Sequence, residues 1–144
     1  MAVKIYYRNV KFRLGKTKGI KDWIEEVIRM EEKEPGDLSF IFIDDKEILK
    51  INREFLKHDY YTDVIAFDYH RGNIIEGEVF LSIDTIRRNS ALFSKSLKDE
   101  ILRVMVHAAL HLVGYNDDDK KRKDIMREAE DKYLGIFKSS AYGL

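Results

Sequence analysis

Two of the four histidines, His107 and His111, stand four residues apart in "VHAALHLVGYNDDD", Val106 to Asp119, and are followed by a glycine, an asparagine and three aspartates. On a helix that spacing stacks both imidazoles on one side, about 6 Å apart along the axis, within reach of one ion. Gly114 is the residue type that ends a helix in a left-handed turn, so the chain can double back there and return a residue of "YNDDD" toward the rings. Asp117 is the candidate. Two neutral imidazoles and a carboxylate hold a divalent ion such as Zn²⁺ at about 2.0–2.2 Å and keep a fourth position for water, whose pKa then falls to about 7. A helix C-terminus, with its partial negative charge, favours a cation in that place.

A plainer account covers the same residues. From Val104 onward the segment is apolar on nearly every face except at His107 and His111, as in a buried helix, and a buried histidine is often satisfied by backbone or water. Asn116 to Asp119 would serve equally as the cap and first turn of a following helix. On spacing alone both accounts stand. Peptidase chemistry of the His-Glu-x-x-His kind is excluded, because Ala108 occupies the place of its general base.

The elements that must position these residues follow from the hydropathy pattern. "VKIYYR", Val3 to Arg8, reads as a strand of the kind found at a sheet edge. Ile20, Trp23, Ile24, Val27, Ile28 and Met30 recur at helical spacing from Thr17 to Lys33, with Pro35-Gly36 as the stop. "LSFIFIDD", Leu38 to Asp45, is a near-continuous β-forming run, expected to be central and covered on both faces. Asp44 or Asp45 caps a helix carrying Ile48, Leu49, Ile51, Asn52 and Phe55. Two strands, Thr62 to Tyr69 and Glu78 to Asp84, flank the turn "HRGNIIEG", short enough to make the pair antiparallel. Asp84 is expected to cap a helix through Ile86 and Leu92. Ser96 and Asp99 form a capping box for the histidine helix. Asp118 or Asp119 starts a last helix with Ile125, Met126, Ala129, Tyr133 and Leu134, and "GIFKSSAYGL" reads as a frayed tail. The order βαβαββααα predicts an α+β fold, a four-stranded mixed sheet with helices packed on it, in one domain spanning residues 1–144.

Composition narrows the rest. Lys plus Arg, 26, equals Asp plus Glu, 26, so overall charge does not itself point to a polyanionic partner. Without cysteine there is no disulfide frame and no thiolate site, which leaves His, Asp and Glu as transition-metal ligands. No apolar run is long enough to span a bilayer and no secretory leader is visible, so the expected setting is soluble and cytoplasmic, with no membrane. "GKTKG", Gly15 to Gly19, lacks P-loop spacing and reads as a polar turn.

Three blocks together resemble the YbeY family of endoribonucleases, which take part in ribosomal RNA maturation. The family signature His-Gly-x-Leu-His-Leu-x-Gly-Tyr-Asp-His is matched by "HAALHLVGYND", His107 to Asp117, and Thr-Asp-Val-Leu-Ser-Phe by "TDVIAF", Thr62 to Phe67. "INREFLKHDYY" is similar to the family's Asn-x-x-Tyr/Phe segment, and "GEVFLSID" and Met126 to Glu130 fall in the expected order. The resemblance implies a metal-dependent nuclease that cuts single-stranded RNA, ribosomal RNA above all, at the 3′ end of the 16S precursor, with a part in ribosome quality control and association with the ribosome. It implies zinc held by His107, His111 and the residue at 117, where histidine is usual and this chain has aspartate. The added negative charge lowers Lewis acidity and shifts preference toward harder ions, so another divalent ion is possible. It implies a nucleophile that is either water or a substrate 2′-hydroxyl. Leu56 stands where the family commonly has arginine, leaving Lys57 and Arg53 as candidates for the RNA contact; Lys57 would otherwise be a solvated side chain near a helix end. Asp63 either orients a group in the site or caps the turn before its strand. The competing expectation is a non-catalytic, ribosome-associated RNA-binding protein whose metal is structural.

Overall fold

A computed structural model describes residues 2–56, 62–140 and 142. In chain order the elements are β1 (Val3–Tyr7), α1 (Thr17–Met30), β2 (Glu34–Ile43), α2 (Asp45–Ile51), a π-helical turn (Asn52–Leu56), β3 (Val64–Asp68), β4 (Ile74–Ser82), α3 (Ile83–Leu92), α4 (Leu97–Val113) and α5 (Lys120–Ser139). The expected order βαβαββααα is observed, with the π turn appended to α2. The strands form one mixed sheet in the order β1-β2-β4-β3. β2 runs parallel to β1 and β4, and β3 is antiparallel to β4, as its short connection requires.

Alternation along β2 explains why that strand reads as an apolar run. Phe40 and Phe42 join the large core with α1, α4 and α5, whereas Ile41 and Ile43 turn to the other face and pack with Ile48 and Ile51 of α2 and Phe80 of β4. A strand covered on both faces has no polar side to show. In the large core Trp23 is fully buried; its indole N–H donates to the Tyr133 carbonyl at 2.9 Å and its ring meets Phe137 edge-on, 5.0 Å between centroids. Burying such a ring contributes about 2–3 kcal/mol, and the bonded N–H removes the cost of burying its polar end.

Several boundaries differ from expectation, each for a packing reason. α1 ends at Met30 instead of Lys33, and Met30 is exposed. Pro35 and Gly36 do not lie between elements: they open β2, at a register irregularity against β4 between Pro35 and Leu38 that takes up the missing proline N–H. β4 begins at Ile74, so half of "HRGNIIEG" is strand. The cap of α3 is Ser82, whose hydroxyl accepts from the Thr85 N–H; Asp84 lies inside the helix and accepts from the Asp45 N–H at 2.9 Å. Asp44 caps α2 and Ser96 caps α4 through the Asp99 N–H at 3.0 Å. The segment read as a frayed tail continues α5 to Ser139, because Phe137 is buried against Trp23. Phe55, placed on the buried face of a regular helix, is exposed because the π turn shifts the register after Ile51. No helix among the described residues is long and apolar enough to cross a membrane.

Candidate metal centre and adjoining cleft

α4 packs against α1, α3 and α5 and lies across β3 and β4, so its C-terminal end reaches the sheet edge made by β3. Val104, Met105, Val106, Ala108, Ala109, Leu110 and Leu112 are buried, while His107 is half-buried and His111 exposed. The two imidazoles therefore occupy the one side of α4 that opens outward. Gly114 ends the helix at φ 123°, and its N–H donates to the His111 carbonyl at 3.1 Å while the Tyr115 N–H reaches Leu110 at 3.0 Å. This reversal brings Asp117 Oδ2 to 3.8 Å from His107 Nε2. Asp119, two residues on, caps α5 by accepting from the Arg122 N–H at 2.8 Å. The aspartate run thus divides its duties: Asp119 caps a helix, and Asp117 faces a histidine.

A carboxylate on α5 orients the first histidine. Glu130 is 5% exposed and places Oε2 2.7 Å from His107 Nδ1. An ionised carboxylate only accepts, so Nδ1 carries the proton, and in the neutral imidazole the lone pair of Nε2 is left free on the side of Asp117, the arrangement common to metal-ligating histidines. The hydrogen bond to Glu130 holds the His107 imidazole above its ordinary pKa, against the opposing effect of burial. Oε1 of Glu130 accepts from Arg103 at 2.8 Å, and the other arm of that guanidinium reaches Asp131 at 2.7 Å. A second tie fixes the loop. Glu31, the residue after α1, accepts from the Tyr115 hydroxyl at 3.0 Å and from the Tyr133 hydroxyl on α5. Burial first and this carboxylate second push Tyr115 up to about 12 and raise Tyr133 as well.

Two hollows meet at these side chains. One, of about 210 Å³, is lined by Leu56, Val64, Ile65, Ala66, Ala108, His107, His111 and Asp117. The other, of about 430 Å³, shares His107 and Asp117 and is charged, with Asp63, Glu100, Arg103, Lys123, Arg127 and Glu130 among its walls. Burial pushes both the Asp63 and Glu100 carboxyls up; the His107 charge opposes this at Asp63, and the Asp63 charge adds to it at Glu100. Of the two expected roles for Asp63, the turn is the one its contacts support: its carboxylate takes backbone N–H groups of the turn before β3.

His107, His111 and Asp117 are brought to one cavity. Among the described residues, however, no group of three or more His, Asp or Glu side chains is gathered tightly enough to hold an ion as it stands. Two donors about 2.1 Å from a tetrahedral ion lie about 3.4 Å apart, so the 3.8 Å between His107 and Asp117 is slightly wide. Asp117 has 45% of its side chain exposed, so it can turn inward without disturbing packing. The donor types suit a divalent ion, and all three side chains line one hollow. Arg53 is exposed and lines neither hollow, and Lys57 lies outside the described residues. Glu130 and Arg103 were not singled out by sequence; the available signal for Glu130 is a carboxylate inside the buried stripe Met126, Ala129, Tyr133 and Leu134 of α5.

Fold and site define an α+β protein with an oriented histidine, a second histidine and a carboxylate at a helix terminus beside a charged cleft. A family model described as endoribonuclease YbeY matches residues 5–138. Endoribonuclease YbeY of Parabacteroides distasonis is 41% identical over 136 residues, 94% of this chain and 96% of that protein. The protein of the same name from Bacteroides thetaiotaomicron is 42% identical, covering 94% and 99%. A solution structure from Thermotoga maritima superposes with a TM-score of 0.68 at 25% identity, over 99% of this chain and 95% of that one. The chain belongs to the YbeY family of endoribonucleases, as the resemblance of residues 62–67 and 107–117 implied.

Proposed function

We propose that this chain cuts single-stranded ribosomal RNA, including the 3′ end of the 16S precursor, with a divalent ion, zinc in the first instance, held by His107, His111 and Asp117. It would work in the cytoplasm in association with the ribosome. The observation that carries this reading is the Glu130–His107 pair at 2.7 Å, which turns Nε2 toward Asp117 at the end of α4. Structural zinc sites are closed by four ligands, whereas three donors beside an open cleft leave room for a substrate atom.

When bound, the ion supplies a Lewis acid that draws charge from the phosphoryl oxygens as the phosphodiester is broken. The protein's own residues set the geometry. Glu130 fixes the tautomer and rotation of His107, Arg103 fixes Glu130, and the Glu31–Tyr115 bond fixes the loop that carries Asp117. Glu100 is 8% exposed and lines the cleft, with its carboxyl pushed up by burial, so it could exchange a proton with a strand bound there. Either water or the substrate 2′-hydroxyl is a chemically sound nucleophile.

The test is cleavage of a labelled single-stranded RNA by the purified chain, set beside His107→Ala and a chelator-treated sample, with metal analysis of each. Cleavage by the wild type alone, with about one ion per chain that is lost in His111→Ala, is expected. Equal cutting by all three marks a contaminant. The same experiment decides against the alternative, an RNA-binding protein with a structural metal, which would bind RNA and metal without cutting.

A further inference from the structure

The two hollows at the donor side chains differ in character. Beside the donors, the described walls of the smaller one are Leu56, Val64, Ile65, Ala66 and Ala108, with no cation among them. Cations enter from the other side: the larger cleft carries Arg103, Lys123 and Arg127. Arg103 is engaged by Glu130 and Asp131. Lys123 and Arg127 are exposed on α5 and form no ion pair among the described residues, although Arg127 is close enough for its charge to act on Glu100. Their neighbours are spent locally, Lys120 on Asp124 at 3.1 Å and Arg122 on Asp119 at 2.8 Å. Of the cleft's five acids, Glu130 is taken by Arg103 and His107, Asp124 by Lys120, Asp117 faces His107, and Asp63 and Glu100 have carboxyls that burial pushes up.

We propose that Lys123 and Arg127 bind successive phosphates of the RNA strand on one side of the scissile bond. The strand would thus run along α5, and its bases on the other side would enter the apolar hollow walled by Leu56 and β3. This rests on the nuclease reading and deepens it by assigning the strand's path. Residues four apart on a helix rise about 6 Å, comparable to the step between phosphates on an extended strand. Arg127 offers a fork of donors to phosphate oxygens, and Lys123 a point charge. Both line the cleft that His107 and Asp117 open into, so the path leads to the reacting position without crossing another element.

The experiment measures binding of a fluorescent single-stranded oligoribonucleotide to the full chain in chelator across a range of salt. Each phosphate contact on a single strand contributes about 0.7 to the slope of log affinity against log salt. Lys123→Gln with Arg127→Gln is expected to lower the slope by about 1.4, so the advantage of wild type over variant shrinks about sevenfold between about 50 and 200 mM salt. Lys121→Gln with Lys132→Gln removes the same charge from the same helix outside the cleft and should leave the slope as it was. The swap Lys123→Arg with Arg127→Lys should restore it. An unchanged slope in the cleft variant, or an equal fall in the control, overturns the proposal while leaving the nuclease reading in place. A wild-type chain that neither binds nor cuts single-stranded RNA defeats that reading first.

Discussion

Glu130 is the residue whose loss tests the site most directly. It is 5% exposed and satisfies two partners, His107 at 2.7 Å and Arg103 at 2.8 Å. Glu130→Gln keeps the shape and one acceptor but removes the charge, so both charge-assisted bonds weaken. Such bonds contribute about 1.5–3 kcal/mol each. Arg103 retains Asp131, whose carboxylate is 59% exposed and hydrated, so the loss on that arm is partial. The expected destabilisation of the metal-free chain is about 2 kcal/mol. Glu130→Ala, which strands His107 and half of a guanidinium, should cost about 3–5 kcal/mol. Metal binding gives the second magnitude: removing the partner that orients a ligating histidine weakens affinity about 10–100-fold. Urea denaturation with an unchanged m-value reads the first effect, and competition against a chromophoric chelator reads the second. If Glu130→Gln unfolds at the wild-type midpoint and binds zinc within about twofold of wild type, the Glu130 charge neither supports the fold nor tunes His107 as a ligand, and that role for Glu130 is wrong.

Three further outcomes follow from the same contacts. Ultraviolet titration of the chain's eight tyrosines should show two that ionise well above the rest, one near 12, and Glu31→Gln should lower both; the bulk transition alone, with no late phase, would refute the shared carboxylate. Burial alone would raise Asp45, but hydrogen bonds from Arg88, Thr85 and Ser82 outweigh it and hold the carboxyl below its ordinary value of 3.8. Its contribution is therefore fully present above pH 3.8 and lost as pH falls through the lower folded value, so Asp45→Asn should cost about 1.5 kcal/mol at pH 7 and progressively less on acidification below 3.8, read by thermal melts at each pH. Gly114→Ala meets no atom within 4 Å yet must adopt φ 123°, so it should destabilise by about 1–2 kcal/mol and loosen metal binding, whereas Gly15→Ala, also in open space but at no positive φ, should do neither.

The order of elements was legible because alternation and helical periodicity are local signals, and Ser96, Asp44 and Gly114 mark their helix ends in the expected way. The errors lie where distant packing decides. Pro35-Gly36 has the composition of a turn but is drawn into β2 by pairing with β4. Gly135 to Ser139 reads as a tail until Trp23, more than a hundred residues earlier, supplies a wall for Phe137. Asp84 and Ser82 are both good caps by type, and only the position of the sheet's last residue selects Ser82. At the site, the i,i+4 histidines and the glycine after them pointed to the bend that brings Asp117 within 3.8 Å of His107. Glu130 was hidden because its meaning depends on how α5 lies across α4, which no local pattern encodes.

The hydroxyls of Tyr115 and Tyr133 converge on the single carboxylate of Glu31, so the end of α1, the bend after α4 and the middle of α5 are fastened at one knot. Rearranging residues 114–117 would therefore disturb two remote helices as well as the bend itself. Folding already confines that loop, so an ion binding there as proposed would find little disorder left to remove, through a junction that lies outside the proposed donor set.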